Sequence, residues 1–535
     1  SWSPALLPLP AALVGLGTLA MAIFFLLTLG SWLGTLAIWL VLAGAVSWIV
    51  NVAITRRAKL QADWRAARRP LVTWLGVSLI GTALVVSADS GGGSWAINGL
   101  FTPLRWSSDN QLSMLFTETL LSTQPRDQML FAVPWLVTDR GPLLAALLAF
   151  PRVIMGQLGR HWGSSFNAHI YLSAAIVVQS SWILLVHFLA SYINIRRENY
   201  LTLSLMGSPF LIFNTLYAWP KLLGGIYAVI CAALLFAPGA RSVVRCRGVV
   251  PAIAASAAFA YLSHASNVFA LVPIAIFAIP TIWLAGLSSI LAGTGVAVLV
   301  VAPWLWWLVS IQPGATALMR YALANDFGMN RRNSPIWPDI LAYYRSLGWA
   351  GWITSKIEAL KIVGGFPRAW MAMPETAAQA PRRPPFGDWR LADFFSLTRA
   401  LNAGMLVIPL MLLARFRRVQ LAPSGLSKVF ILLGATSILF TLLITVPPAI
   451  LHVLPYGGVL LLLLGLLLFA DSLPVDLARL VPMFSIIYAI VVWLGPALIW
   501  ADRVVWSGVV GIIVGVAITA GAMYDDGAAT ALDGQ

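Results

Sequence analysis

Two short polar segments carry residue types suited to acid–base and phosphate chemistry. They read Arg105-Trp106-Ser107-Ser108-Asp109-Asn110-Gln111-Leu112 and Thr138-Asp139-Arg140-Gly141-Pro142-Leu143. Ser108 with Gln111 three positions on is a capping-box pattern, so a helix over 107–122 is expected, with Asp109 as its first residue. The positive end of a helix favours an ionised carboxylate there, and such a carboxylate can take the proton of an attacking hydroxyl. Leu112, Leu115, Phe116 and Leu120 then share one apolar face. At about 100° per residue, Asp109 falls at the edge of that face and Glu118 on the far side, toward water. The plainer alternative is that Asp109 only caps and solvates a helix start.

In the second segment Gly141-Pro142 can open another helix, with proline early in its first turn. Arg140 just before it can grip a phosphate in bidentate fashion, beside free backbone donors. The competing reading is a local Asp139–Arg140 pair that closes a loop. The apolar run from Leu143 to Leu158 is expected to lie along the membrane surface.

Three further positions are candidates. Lys221 follows Tyr217-Ala218-Trp219-Pro220 between two apolar spans, as a phosphate ligand or a snorkelling lysine. His264 sits in Ser263-His264-Ala265-Ser266-Asn267, where two spans meet; a lone histidine is more often structural. Arg320 follows the turn Pro313-Gly314, as a ligand or a solvated base. No metal is indicated: the five histidines are scattered, and neither HExxH nor paired CxxC spacing occurs. Gly91-Gly92-Gly93 lacks the lysine and following helix of a phosphate loop, and no Gly-x-Ser-x-Gly elbow is present. No cofactor is implied, and a divalent cation is possible without being called for.

The elements that must position these residues are membrane helices. The chain has 535 residues, of which 60% are hydrophobic and 10% charged. Apolar runs of the length that crosses a bilayer recur along it, without the alternation of a β-barrel. The expected fold is an all-α polytopic membrane protein with fourteen spans (twelve at the least), near 8–30, 32–54, 71–87, 167–193, 200–217, 221–238, 249–263, 267–284, 286–311, 397–415, 427–446, 451–470, 480–500 and 503–523. The first residues lack the basic start of a signal peptide, so the first span is expected to be retained. The tail after Tyr524 is expected to fray.

Basic residues crowd four short connections: Arg56 to Arg69, Arg196-Arg197, Arg241 to Arg247, and Arg415 to Arg418. A fourteen-span chain puts all four on one side, and the positive-inside rule makes that side cytoplasmic. Two insertions, 88–166 and 312–396, then face outward, each with interfacial helices. In the second, a short helix is expected near Arg320, an interfacial helix with an aromatic edge near Trp349 and Trp352, and a proline-rich loop at 377–385. The chain thus divides into two added N-terminal helices with a basic loop (1–70), a core with the first outer loop (71–311), the second outer loop (312–396) and C-terminal helices (397–535). The net charge of +15 suits membrane lipids and phosphate-bearing substrates and gives no sign of nucleic acid. Cys231 falls in a span and Cys246 in a cytoplasmic loop, so no extracytoplasmic disulfide is expected.

The Ser108-Asp109-Asn110-Gln111-Leu112 and Asp139-Arg140-Gly141-Pro142-Leu143 segments resemble motifs of bacterial GT-C glycosyltransferases, with looser likeness at Tyr217 to Lys221 and at Pro313-Gly314. The likeness covers about the first two thirds of the chain. It departs from the common pattern in placing the first large outer loop after the third span, and in Gly141, where two prolines often follow Asp-Arg. The resemblance implies inverting transfer of a sugar from a polyprenyl-phosphate donor to a glycan, lipid or protein acceptor, at the outer face of a bacterial cytoplasmic membrane. Asp109 would be the base; Arg140 and Lys221, with His264 or Arg320, would hold the phosphate; Asp139 would orient Arg140 or the sugar. The lipid tail would lie in a groove between spans.

Two other classes share the composition. A lipid-linked glycan transporter or flippase generally needs ionisable groups at mid-membrane, and these span interiors hold few. An O-antigen-type polymerase or ligase generally relies on arginine and histidine in a late outer loop, whereas the acids here come early.

Overall fold

The computed structural model describes residues 8–87, 108–122, 131–132, 135–136, 140–159, 163–217, 219–246, 248–311, 317–326, 335–364, 396–494 and 506–532. Their regular structure is helical, apart from a two-residue antiparallel hairpin that pairs Phe131 with Leu136 and Ala132 with Trp135. Asp139, the Pro313-Gly314 turn and the proline-rich 377–385 stretch lie outside the described residues.

Helices are the form that satisfies every backbone donor and acceptor of an apolar segment in lipid. Among the described residues, eight are long and apolar enough to cross a membrane: Leu9–Leu29, Ser31–Thr55, Ile170–Tyr192, Ala265–Trp283, Leu287–Ile311, Gly425–Ile444, Val475–Leu494 and Trp506–Tyr524. The protein is therefore a polytopic helical membrane protein. Shorter apolar helices fill between them, including Lys221–Phe236, Val249–Ser263, Ala403–Phe416 and Tyr456–Ala470.

Three local expectations are corrected. The basic stretch from Arg57 is not a loop: one helix runs Arg57–Ser87, with Pro70 inside it, because its alanines, arginines and lysine are good helix formers. The expected 200–217 span is two pieces, Glu198–Met206 and Pro209–Leu216. Gly207 between them lets the chain approach Ser485, where a Cβ would stand 2.5 Å from backbone atoms. The last helix continues from Trp506 to Leu532, past the point where the tail was expected to fray.

Lys221–Phe236 and Tyr456–Ala470 form the centre, buried along nearly their whole lengths. Small residues let neighbours close in, as expected where apolar packing has no hydrophobic advantage over lipid. A Cβ on Gly225 would lie 3.2 Å from the Tyr456 backbone, and one on Gly434 2.6 Å from the Leu462 nitrogen. Gly76, Gly511 and Gly515 likewise seat Trp506–Leu532 against Arg57–Ser87.

One end of this bundle gathers the basic connections. Arg69 pairs with Glu198 (3.6 Å) and hydrogen-bonds Asn199. The Arg197 guanidinium donates to the Leu473 carbonyl (2.7 Å), and its backbone N–H to Asp471 (3.1 Å). Arg417 pairs with Asp476 (3.0 Å). The helix Tyr456–Ala470 leads from this end, at Asp471, to the opposite one, at Tyr456.

Candidate functional site

At that opposite end the chain turns sharply between Pro209–Leu216 and Lys221–Phe236. The Trp219 N–H bonds the Tyr217 carbonyl at 2.5 Å, and the Gln179 side-chain amide donates to the carbonyls of Tyr217 (3.2 Å) and Trp219 (2.8 Å). The indole of Trp219 is buried and is the meeting point of three basic side chains. Lys221 Nζ lies 3.9 Å from its ring centroid and 4.9 Å from that of Tyr456. The Arg140 guanidinium carbon stands 5.6 Å from the same indole. The His264 ring meets it edge-on, centroids 6.0 Å apart. Cations over aromatic faces are favourable, more so away from water.

Each side chain arrives on a different connection, and each connection is fixed locally. His264 ends Val249–Ser263 in an extended conformation. Its Nδ1 accepts the Ser266 backbone N–H (3.2 Å) and lies 2.8 Å from the Ser266 hydroxyl. The neutral tautomer that keeps the backbone bond carries its proton on Nε2, which is then a donor. Asn267 donates to the carbonyls of Ala260 (3.2 Å) and His264 (3.3 Å) and accepts from the Gly457 N–H (3.1 Å), tying this turn to the start of Tyr456–Ala470.

Arg140 is held by its neighbour. A Cβ on Gly141 would lie 1.8 Å from the Leu262 carbonyl oxygen. Glycine rather than proline therefore follows Arg140 because the chain presses against the last turn before His264. Pro142 then opens the helix Leu143–Gly159, its carbonyl accepting from Ala146 (2.9 Å). The first two turns, Leu143 to Ala149, are buried on all sides, so this run does not simply lie along the membrane surface; it enters the protein.

The helix expected around Asp109 runs Ser108–Leu121. Leu112, Ser113, Phe116, Thr117 and Leu120 are buried. Phe116 packs against Trp307 (5.5 Å) and Phe24 (6.0 Å), and Thr117 donates to the Ala145 carbonyl (2.9 Å), just beyond Arg140. Helical register places position 109 in line with Ser113, Phe116 and Leu120; the Asp109 side chain lies outside the described residues. Glu118 lies off this buried face and is partly open to solvent, with its side chain 36% exposed, but it is not simply solvated. It pairs with Arg152 (2.7 Å) and accepts from the Tyr171 hydroxyl (2.6 Å). That partnership spans dozens of residues and leaves no mark in the local pattern.

Of the basic residues singled out by sequence, the structure thus brings together Arg140, Lys221 and His264. Arg320 is also buried but makes its ion pair with Asp339 of the helix Ile336–Gly364. Its own helix, Ala317–Ala324, is fastened to the chain before Tyr456: Val446 N–H donates to the Ala322 carbonyl (2.9 Å) and the Tyr321 hydroxyl to that of Pro448 (3.0 Å). Tyr456, Asn267 and Gln179 were not singled out. An amide inside an apolar span, Gln179, was the signal that could have been read.

Lys221 is the first residue of its helix, where the dipole is positive and unpaired backbone donors cluster. A buried ammonium, a guanidinium and an imidazole donor gather at that end in one basic cluster, and the chemistry of such a cluster complements a phosphate oxygen. Among the described residues no three His, Cys, Asp or Glu side chains cluster in a way that could hold a metal. Comparison with family models, curated proteins and solved structures gives no match.

Proposed function

We propose that this protein is an inverting membrane glycosyltransferase of the GT-C type, taking its sugar from a polyprenyl phosphate. The observation that carries the reading is the convergence of Arg140, Lys221 and His264 on Trp219. A lipid-linked donor accounts for an anion pocket at the end of a membrane bundle. In the full reading the shorter helices also cross, giving fourteen spans, with the basic end cytoplasmic and the Trp219 end facing outward from a bacterial cytoplasmic membrane.

In this mechanism Asp109 removes the proton of the acceptor hydroxyl, belonging to a glycan, lipid or protein. The oxygen attacks the anomeric carbon as the bond from that carbon to the phosphate oxygen breaks on the opposite face. Polyprenyl phosphate leaves with the electron pair, and Arg140, Lys221 and the His264 Nε2–H stabilise the charge that builds on it. Asp139 orients Arg140 or the sugar, and Arg320 lies on Ala317–Ala324, the helix fastened to the segment leading to Tyr456. A groove of about 90 Å³ lined by Ile80, Leu84, Leu211 and Leu216 opens just before Tyr217 and suits the first isoprene units.

The test is transfer of radiolabel from a panel of polyprenyl-phosphate sugars to envelope extract, with Asp109→Asn compared at equal levels of folded protein. The reading expects transfer by the wild type from one donor, and a fall of about 10²-fold or more in the variant with donor binding kept. Equal transfer by the variant removes Asp109 as the base. Retained binding of a diphosphate-linked glycan, with no transfer from any monophosphate donor, would favour the polymerase class.

A further inference from the structure

Gln179 is the least explained residue of the span Ile170–Tyr192. An amide there is buried in the interior of an apolar helix, where polar groups are costly unless bonded. The helix is also broken at that point, into Gly163–Gln179 and Trp182–Tyr192. The break is bridged by backbone bonds from Ser180 N to Ile176 O (2.8 Å) and from Ile183 N to Ser180 O (3.0 Å). What the amide does is specific. Its single nitrogen uses both protons on one short turn, reaching Tyr217 O at 3.2 Å and Trp219 O at 2.8 Å. One of those carbonyls belongs to Trp219 itself, whose indole gathers Arg140, Lys221 and His264, and the other to Tyr217 two residues before it.

We infer that Gln179 is a positioning residue: it holds the Tyr217–Trp219 turn in the one shape that presents the indole to the three basic groups. The inference rests on the phosphate-binding reading of that cluster and adds a residue which composition and motif do not reveal. The geometry requires a double donor. Asparagine is a methylene too short, methionine has the length without the protons, and a glutamate carboxylate would oppose two carbonyl oxygens with its own.

The experiment uses the full chain in lipid nanodiscs and has two independent readouts. Backbone hydrogen exchange over residues 213–223 needs no ligand. The Michaelis constant for the polyprenyl-phosphate donor needs the proposed activity. Gln179→Met is expected to exchange about tenfold faster over 213–223, as two buried bonds are lost, while Val249–Ser263 keeps its wild-type protection. Its donor KM should rise about tenfold with kcat nearly kept. Gln179→Glu keeps the length and loses the two amide donors, so it should show the same defect in both readouts, which loss of side-chain volume alone would not produce. Unchanged exchange in both variants overturns the inference. Faster exchange in a protein whose wild type binds no polyprenyl phosphate keeps Gln179 as the holder of the turn and overturns the phosphate reading instead.

Discussion

Two groups of cations, one at each end of the bundle, differ in what the described residues set against them. At the end with the basic connections, each well-placed arginine meets a carboxylate: Arg69 faces Glu198, Arg417 faces Asp476, and Arg197 binds the loop of Asp471. At the other end, Lys221 and Arg140 are buried against the faces of Trp219 and Tyr456. A carboxylate cancels a charge and leaves a strut between helices. An aromatic face stabilises a cation without cancelling its charge. The contrast marks out the group of cations on which the proposed phosphate site rests, a division that counting lysines and arginines does not make.

The sharpest way to break it is to remove one charge from each end. Lys221→Met keeps the stem and deletes the ammonium. It should cut transfer from the lipid donor by about 10²–10³, the usual loss when a donor to developing charge is removed, with thermal stability near that of the wild type. Arg417→Met removes half of a surface pair and should change transfer less than twofold, since exposed pairs contribute roughly 0–1 kcal/mol. Equal effects of the two substitutions on transfer would erase the distinction between the ends.

The distinction was only partly legible in the sequence. Long spans read easily, because lipid permits a chain few alternatives to the helix. The helix Ser108–Leu121 was legible as well, since Leu112, Phe116 and Leu120 recur on one face and are buried. The four candidates Arg140, Lys221, His264 and Arg320 looked alike; folding separates them, giving Arg320 to Asp339 and the other three to Trp219. Tyr456 and Gln179 escaped notice because they act across more than two hundred and about forty residues, on a turn whose local pattern names neither. Arg57–Ser87 was misread for the opposite reason: basic residues that mark a membrane face are also good helix formers.

A smaller effect is expected at the basic end itself. His187 is buried and bonded to Glu198, which also faces Arg69. Burial pushes the Glu198 carboxyl up, but the bond and charge of His187 together with Arg69 outweigh it and hold its pKa below the usual value. A depressed carboxylate contributes stability that is complete above its unfolded pKa, about 4.3, and is lost as pH falls through the folded value. Melting temperature should therefore fall below about pH 4.5 in the wild type. In Glu198→Gln the neutral-pH melting temperature should be lower by a few degrees, with this part of the acid slope absent. Transfer at neutral pH should scarcely change, because the strut lies at the far end from Trp219. An identical acid slope in the two proteins would mean that the pair contributes nothing.

The finest test asks whether an aromatic-lined lysine at the Tyr456 end keeps its character when half exposed. Lys356 donates to the Thr445 carbonyl (2.6 Å), with Tyr344 and Trp352 at 6.0 and 5.9 Å. Thr445 caps the C-terminal end of Gly425–Ile444, where a cation is favoured. Desolvation nonetheless wins and pushes the Lys356 amine down to about 8, against about 10.4 for an ordinary lysine. The fold thus binds fewer protons than the unfolded chain between those values, so this group's contribution to stability rises with pH from about 8 to about 10.4. Amine-selective acetylation followed by mass spectrometry should find a reactivity midpoint near pH 8 at Lys356. In Tyr344→Leu with Trp352→Leu the ammonium loses its aromatic neighbours, and the midpoint should drop further by a few tenths of a pH unit. A midpoint that rises on removing the rings would show that they act at this lysine only as a barrier to water, and the contrast between the two ends would then rest on Lys221 alone.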